Sequence, residues 1–553
     1  MRPVLSNSLF LAGCLAIGGG VAGGWLVPPR SEPPLRSPGG GGARPAGEAS
    51  WESPEFRRAV DRVDEAFAVA WRSAGVRPTG LAPDLAVARR LSFAMTGSPP
   101  SLEEIRAFES LPPGGRVAAW TEHLLRDRRT ADYLAERFAR VFVGVEEGPF
   151  VLYRRHRLVS WLSDQLHQNL PYDEVVRGMI TARGIWTSRP EVNFITVTVD
   201  PNNTGEGPDE QKLAGRVARA FLGVRLDCVQ CHDDKFGGRW RQADFHQLAS
   251  FFAGAELSME GVRDRTAQAY EFRYLGKGAK EVVPPRVPFE ASLLPGAGPP
   301  RERLAAWVTD PRNRAFARTL VNRAWALLFN QPMMKPVDSI PLDGPWPPGM
   351  EVLADDLVEH HFDLRRLLSL IAASRPFHLE SASAPGEMPV TAAQQESFAA
   401  FPITRLRPEQ VAGGVLQSAS LHTLDARSHV LSRILRHFQE HDFVQRFGDL
   451  GRDEFEGAGG TIPQRLLLMN GKLVHERTRE DVVMNASTRI GVLVGEDSTA
   501  LESAYLAILT RRPTAEERQA LTGRLRPGKG GRSQRMEDLY WTLLNSTEFS
   551  WNH

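Results

Sequence analysis

Cysteine is scarce in this chain, with three in 553 residues. That excludes a small secreted fold stapled by several disulfides. Lysine is almost as rare. There are seven against 60 arginines and none before Lys212, which reads as a base-composition bias more than a binding surface. Charge of one sign is missing too: the net charge of +1 gives no electrostatic footprint for nucleic acid, which is not expected as a partner. Walker loops, G-x-S-x-G elbows, dinucleotide glycine fingerprints and convincing catalytic carboxylate pairs are absent. No internal repeat of fixed period is evident.

What is present begins with an address. Arg2 precedes a mostly apolar run from Val4 to Val27. Residues 1–27 therefore read as an export signal or an uncleaved membrane anchor, in preference to a lipoprotein signal cut before Cys14. Residues 28–50 are Pro, Gly, Arg and Ser with almost nothing to bury, and read as a disordered tether. The body is expected outside the cytoplasm, in the periplasm or at the cell surface, held to the membrane by its N-terminal segment.

From Trp51 onward helical periodicity dominates. Phe56–Trp71 and Pro83–Met95 are amphipathic, and Ser101 three residues before Glu104 makes a capping box. Leu213–Val224 carries Leu213, Val217, Phe221 and Val224 on one face. Between 255 and 300 Tyr270, Phe272 and Tyr274 alternate with polar residues and Val282-Val283 starts a return, which predicts a hairpin. Further helices follow, among them the strongly apolar Arg314–Leu328 and one opened by Thr514-Ala515-Glu516-Glu517. The expected fold is mainly α, with two helical bodies (51–254 and 301–553) joined by a short segment (255–300) containing a β-hairpin.

Both body cysteines fall in Cys228-Val229-Gln230-Cys231-His232. In an exported protein C-x-x-C-H is the attachment spacing for c-type haem, two thiols taking the vinyl groups and His232 lying under the iron. Structural or redox disulfide and zinc readings stay open. Zinc lacks a second ligand pair at the usual spacing, and the helix before the motif does not fit a thioredoxin-like site. His246 and Met259 are the candidate distal ligands. Asp233, Asp234, Glu256 and Glu260 could surround such a site, although solvated carboxylates are the commoner fate. In the second body His360-His361 and the His437/His441 pair read as surface histidines, and Asn322, Arg323 and Trp325 as packing residues.

These residues resemble a known family of large exported proteins, typical of planctomycetes. Its members pair a cytochrome-like domain of unknown function (fifteen-forty-nine) with a second one (fifteen-fifty-three). The first resemblance carries Arg89-Arg90-Leu91-Ser92-Phe93, Thr96-Gly97-Ser98-Pro99-Pro100, Leu170-Pro171-Tyr172-Asp173 and the Cys228–Asp233 run. The second carries Trp307-Val308-Thr309-Asp310-Pro311, Val321-Asn322-Arg323-Ala324-Trp325, Met469-Asn470-Gly471 and Leu544–Phe549. The chain departs from the pattern at Asp234, where the family often has histidine, and in lacking a separate N-terminal cytochrome c module. The resemblance implies architecture and leaves activity unassigned. The function expected from motif and export signal is electron transfer or haem-based redox through covalent haem c, with a redox partner protein. The alternatives are a non-catalytic surface scaffold with a structural Cys228–Cys231 disulfide and a hydrolase of external polymers. Whether the chain is an enzyme stays open.

Overall fold

The computed structural model describes residues 51–145, 153–200, 207–234, 238–265, 268–274, 278–383, 388–425, 430–448, 455, 460–482, 485–525 and 531–553. The export segment and the tether, residues 1–50, lie outside them, as do residues 275–277 between the two halves of the expected hairpin and the side chain of His437. The described fold is mainly α, with small antiparallel hairpins, as expected.

The first helix, Pro54–Ala74, shows how local rules set its ends. Ser53 accepts the Phe56 N–H at 3.1 Å, Pro54 fills the first turn, and Gly75 closes it at φ 66°. Phe56, Ala59, Val63, Phe67 and Trp71 form its buried stripe. The Ser101 capping box forms as predicted: Ser101 Oγ accepts Glu104 N–H at 3.0 Å, and Glu104 accepts Ser101 N–H at 2.8 Å. Asp64 on the first helix accepts the Arg375 N–H at 2.7 Å. Burial pushes its carboxyl up to about 6, against the pull of that N–H.

That shift has a sign. The proton-bound native form is favoured, so its contribution is complete below about pH 4 and is lost as pH rises through 6. Asp64→Asn keeps the accepting oxygen and removes the desolvated charge. After a discount for solvent screening at its partly buried position we expect it to stabilise the protein by about 1–2 kcal/mol near pH 7.5 and by almost nothing near pH 4. Urea denaturation at both pH values checks this, and a loss at pH 7.5 would refute it.

Helix Arg314–Phe329 is buried on every side from Ala315 to Phe329, as an all-round apolar helix must be in a large core. It packs against helices Asp84–Thr96, Glu210–Leu222, Met350–Glu359 and Leu364–Ala373. One hydrophobic core runs from Phe56 to Phe401 without a break at 255–300, and a second joins Phe93 to residues between Leu406 and Phe549. The two cores meet where helices Asp84–Thr96 and Pro408–Ser418 touch through glycine. A Cβ on Gly413 would come within 2.3 Å of the Gly97 carbonyl oxygen, so only hydrogen fits there.

The 255–300 segment holds two hairpins. Ala255–Ser258 pairs antiparallel with Gly261–Asp264. Glu271–Phe272 pairs with Glu281–Val282, which is the hairpin the alternation predicts. Arg301, almost fully buried, fastens the segment to the first body through Asp264 Oδ1 (2.6 Å) and the carbonyls of Ile180 and Ala182.

Candidate functional site: the Cys228–Asp234 loop

Helix Glu210–Leu222 delivers the loop. Asp209 caps it by accepting the N–H groups of Gln211 and Lys212, and Gly223 ends it at φ 61°. Beyond it Val224, Leu226 and Val229 are buried anchors. Asp227–Gln230 then makes one turn of 3₁₀ helix. Side chains three apart eclipse in such a turn, about 6 Å apart along the axis. Cys228 lies within the turn and Cys231 closes it, at φ −102° and ψ −26°, while Val229 is buried. Both thiols are free and exposed. Cys228 makes a weak contact with the Arg225 carbonyl at 3.9 Å.

The base of the turn is ionic. Asp227 pairs with Arg219 at 3.2 Å, and Arg219 and Arg225 share Asp338 at 2.9 and 2.6 Å. Burial opposes ionisation of Asp338, but the two guanidinium groups prevail and hold it below the usual carboxylate range.

The far side of the loop is held by a ring of hydrogen bonds. Gln230 Nε2 donates to Gln211 Oε1 at 2.7 Å, and Gln211 is bonded to the Tyr270 hydroxyl. Tyr270 Oη lies 2.9 Å from His246 Nδ1, and His246 Nε2 lies 3.0 Å from the Gln230 carbonyl oxygen. A carbonyl only accepts, so Nε2 carries the proton and Tyr270 donates to Nδ1. Burial pushes His246 below its usual pKa, opposed by the Gln230 carbonyl, which keeps the ring neutral. Gln242 Nε2 adds a second donor to the Gln230 carbonyl at 3.2 Å, and its backbone N–H reaches Asp233 Oδ1 at 2.8 Å. His232 Nδ1 donates to the Asp233 carbonyl at 2.7 Å.

This geometry corrects the haem reading. His246, a candidate distal ligand, is fully buried with both ring nitrogens engaged and its ring stacked on Phe272 at 3.4 Å. Met259, the other candidate, stands 101% exposed in the turn between strands Ala255–Ser258 and Gly261–Asp264. Electron transfer through a c-type haem therefore has no support in the arrangement around Cys228, Cys231 and His232. The structural disulfide of the scaffold reading is not formed either.

The carboxylates near the motif have structural work. Asp233 receives the Gln242 N–H, the Asp234 N–H bonds the Trp240 carbonyl, and Glu256 pairs with Arg263 and Arg265. Glu260 lies in the hairpin turn, its N–H on Ser258 Oγ. His360 lies between Glu55 and the Asp356 carbonyl, and His441 meets Gln445. Among the described residues Glu104, His123 and Asp127 come together with ligand spacing, but Arg129 pairs with both carboxylates, at 2.5 and 2.7 Å. That makes the trio an ion-pair cluster. An apolar cavity lined by Leu134, Leu166, Leu364 and Leu368 shares no residue with the thiol loop.

Gln211, Gln242 and Tyr270 were not visible as site residues in the sequence, and Gln230 stood only as a spacer within the Cys228–His232 run. The first three carry no motif, and Tyr270 lies 24 residues from the histidine it bonds.

Comparison with known families agrees with this architecture. Residues 62–256 match the model of PSCyt2, a protein of unknown function (DUF1549), and residues 300–433 match that of PSD1, a protein of unknown function (DUF1553). The chain therefore carries both domains, in the expected order. No curated protein and no solved structure matches it. The matched families bring no assigned activity, so the polymer-hydrolase alternative has no support either.

Proposed function

We propose that the Cys228/Cys231 pair is a thiol–disulfide exchange site on the surface of an exported protein. The observation that carries this reading is two free, exposed thiols three residues apart at a single clamped turn. The turn's rise of about 6 Å lies within the Cα separation that a disulfide spans. The co-reactant is a disulfide on a partner protein. One cysteine thiolate attacks a partner sulfur, the partner S–S bond breaks, and one partner thiol leaves. The second cysteine then attacks the sulfur of the first, releasing the other partner thiol. The protein loses two electrons and two protons, and the partner disulfide gains them.

Export supports the reading, because disulfide chemistry belongs to oxidising compartments. Its basis is the apolar stretch Val4–Val27, which would also tether the body to a membrane. No described helix is long and apolar enough to cross one.

The test equilibrates the full-length protein in glutathione buffers, alkylates it and weighs the 228–232 peptide. We expect a single two-electron transition that leaves the peptide two mass units lighter, and a trapped mixed disulfide in Cys228→Ser. Thiols that stay fully alkylatable throughout, or a covalent adduct on the peptide other than a partner thiol, would overturn the assignment.

A further inference from the structure

We propose that His246 is a positioning residue that governs closure of the Cys228/Cys231 pair through the Gln230 carbonyl. This rests on the thiol-exchange reading and names what controls that site. The Gln230 carbonyl is the last of the 3₁₀ turn and belongs to the peptide that leads into Cys231. Carbonyls at a helix end lack partners of their own. This one receives His246 Nε2–H at 3.0 Å and Gln242 Nε2–H at 3.2 Å.

His246 cannot turn away. Tyr270 donates to its other nitrogen at 2.9 Å, and Phe272 stacks on its ring. Gln211 closes the circuit between Tyr270 and the Gln230 side chain. The peptide between the two cysteines is thus bonded through its carbonyl, and the residue before it through its side chain, to elements from helix Glu210–Leu222, helix Gln242–Ala249 and the second hairpin.

In this proposal, bringing the sulfurs to about 2.05 Å at the fixed dihedral of a disulfide is taken up by rotation at the Cys231 peptide. Rotation strains the His246 bond, so the clamp favours the open dithiol. Its loss shifts closure toward the disulfide. The Phe272 stack places this control next to the hairpin, so whatever displaces the hairpin reaches the thiols.

His246→Phe keeps the stacked ring and removes both nitrogens. We expect it to move the glutathione closure equilibrium toward the disulfide about 3–10-fold, the worth of one net hydrogen bond. The Cys231-to-Cys228 alkylation rate ratio should rise with it. His246→Gln, which can again donate to the Gln230 carbonyl, should restore both readouts. Tyr270→Phe should give a smaller shift in the same direction, and it keeps the test alive should His246→Phe fail to fold. General loosening would raise both alkylation rates together and leave their ratio unchanged. A folded His246→Phe whose equilibrium and rate ratio both stay within twofold of the parent would overturn the proposal. Should the parent never close its disulfide, the exchange reading fails, while the rate ratio still reports on His246.

Discussion

Replacing Trp325 with alanine is expected to cost about 3–5 kcal/mol of folding stability. The indole is fully buried in helix Arg314–Phe329, at the centre of an aromatic column. It stacks on Phe329 at 4.2 Å and 9° and on Phe67 at 5.3 Å and 13°, with Phe398 edge-on at 5.2 Å. Phe67 comes from the first family region's side of the core and Phe398 from beyond the second hairpin, so the cavity would open where the two halves are joined. The surrounding helices are held by their own contacts and can collapse only in part, which puts the cost at the upper end of the range for large-to-small changes. The indole Nε1 is buried without a hydrogen-bond partner. Trp325→Phe removes that unsatisfied donor together with part of the ring, so it should cost much less, about 1–2 kcal/mol. Denaturant unfolding of both variants checks this. An alanine cost below about 1 kcal/mol would mean that Trp325 fills no essential space.

Much of this fold was legible because helix ends and faces are local. Ser101-x-x-Glu104 and Thr514-x-x-Glu517 are capping boxes in the sequence and in the structure. The first helix reads as Phe56–Trp71 and spans Pro54–Ala74, its extra residues being the proline at one end and the turn before Gly75 at the other. Helix Glu210–Leu222 stops sooner than its apolar face suggests. Val224 continues the stripe, but Gly223 takes a left-handed conformation and turns the chain. The hairpin Ala255–Asp264 escaped detection because Gly261-Val262-Arg263-Asp264 has a single β-former and no alternation, unlike the aromatic run Tyr270–Tyr274.

The site was legible only as spacing. Cys228, Cys231 and His232 sit together on one loop. The haem expectation came from the spacing in an exported chain, and neither feature says what surrounds the thiols. His246 looked like a ligand because it lies one helix away. The fold instead turns its ring inward, where the Gln230 carbonyl and Tyr270 use both nitrogens. A tyrosine 24 residues further along and a glutamine 35 residues earlier complete that arrangement, and no local pattern links them.

Arg90→Met is expected to be as damaging as the loss of Trp325, about 3–5 kcal/mol, for an electrostatic reason. Arg90 is fully buried, and burial pushes its guanidinium down to about 9, partly offset by Glu380, so it is charged at neutral pH. Every bond it makes reaches a distant part of the chain. Nε donates to the main-chain oxygen of His553 at 2.8 Å, Nη1 to the carbonyls of Phe377 and Leu379 at 3.0 and 2.8 Å, and Nη2 to Ser381 Oγ at 3.2 Å. Its Cζ lies 3.8 Å from the Phe401 ring centroid. Methionine matches the stem but leaves two buried main-chain oxygens, Phe377 and Leu379, and the part-buried one of His553 without this donor, each buried one costing about 1–3 kcal/mol before relaxation. Lysine keeps the charge, yet its single nitrogen cannot serve acceptors arranged around a planar fork. Arg90→Lys should therefore recover less than half of the loss. Unfolding of both variants near pH 7 decides it. If Arg90→Lys matches the parent, charge alone accounts for the site, and the fork geometry between helix Asp84–Thr96 and the 377–381 and 553 segments contributes nothing.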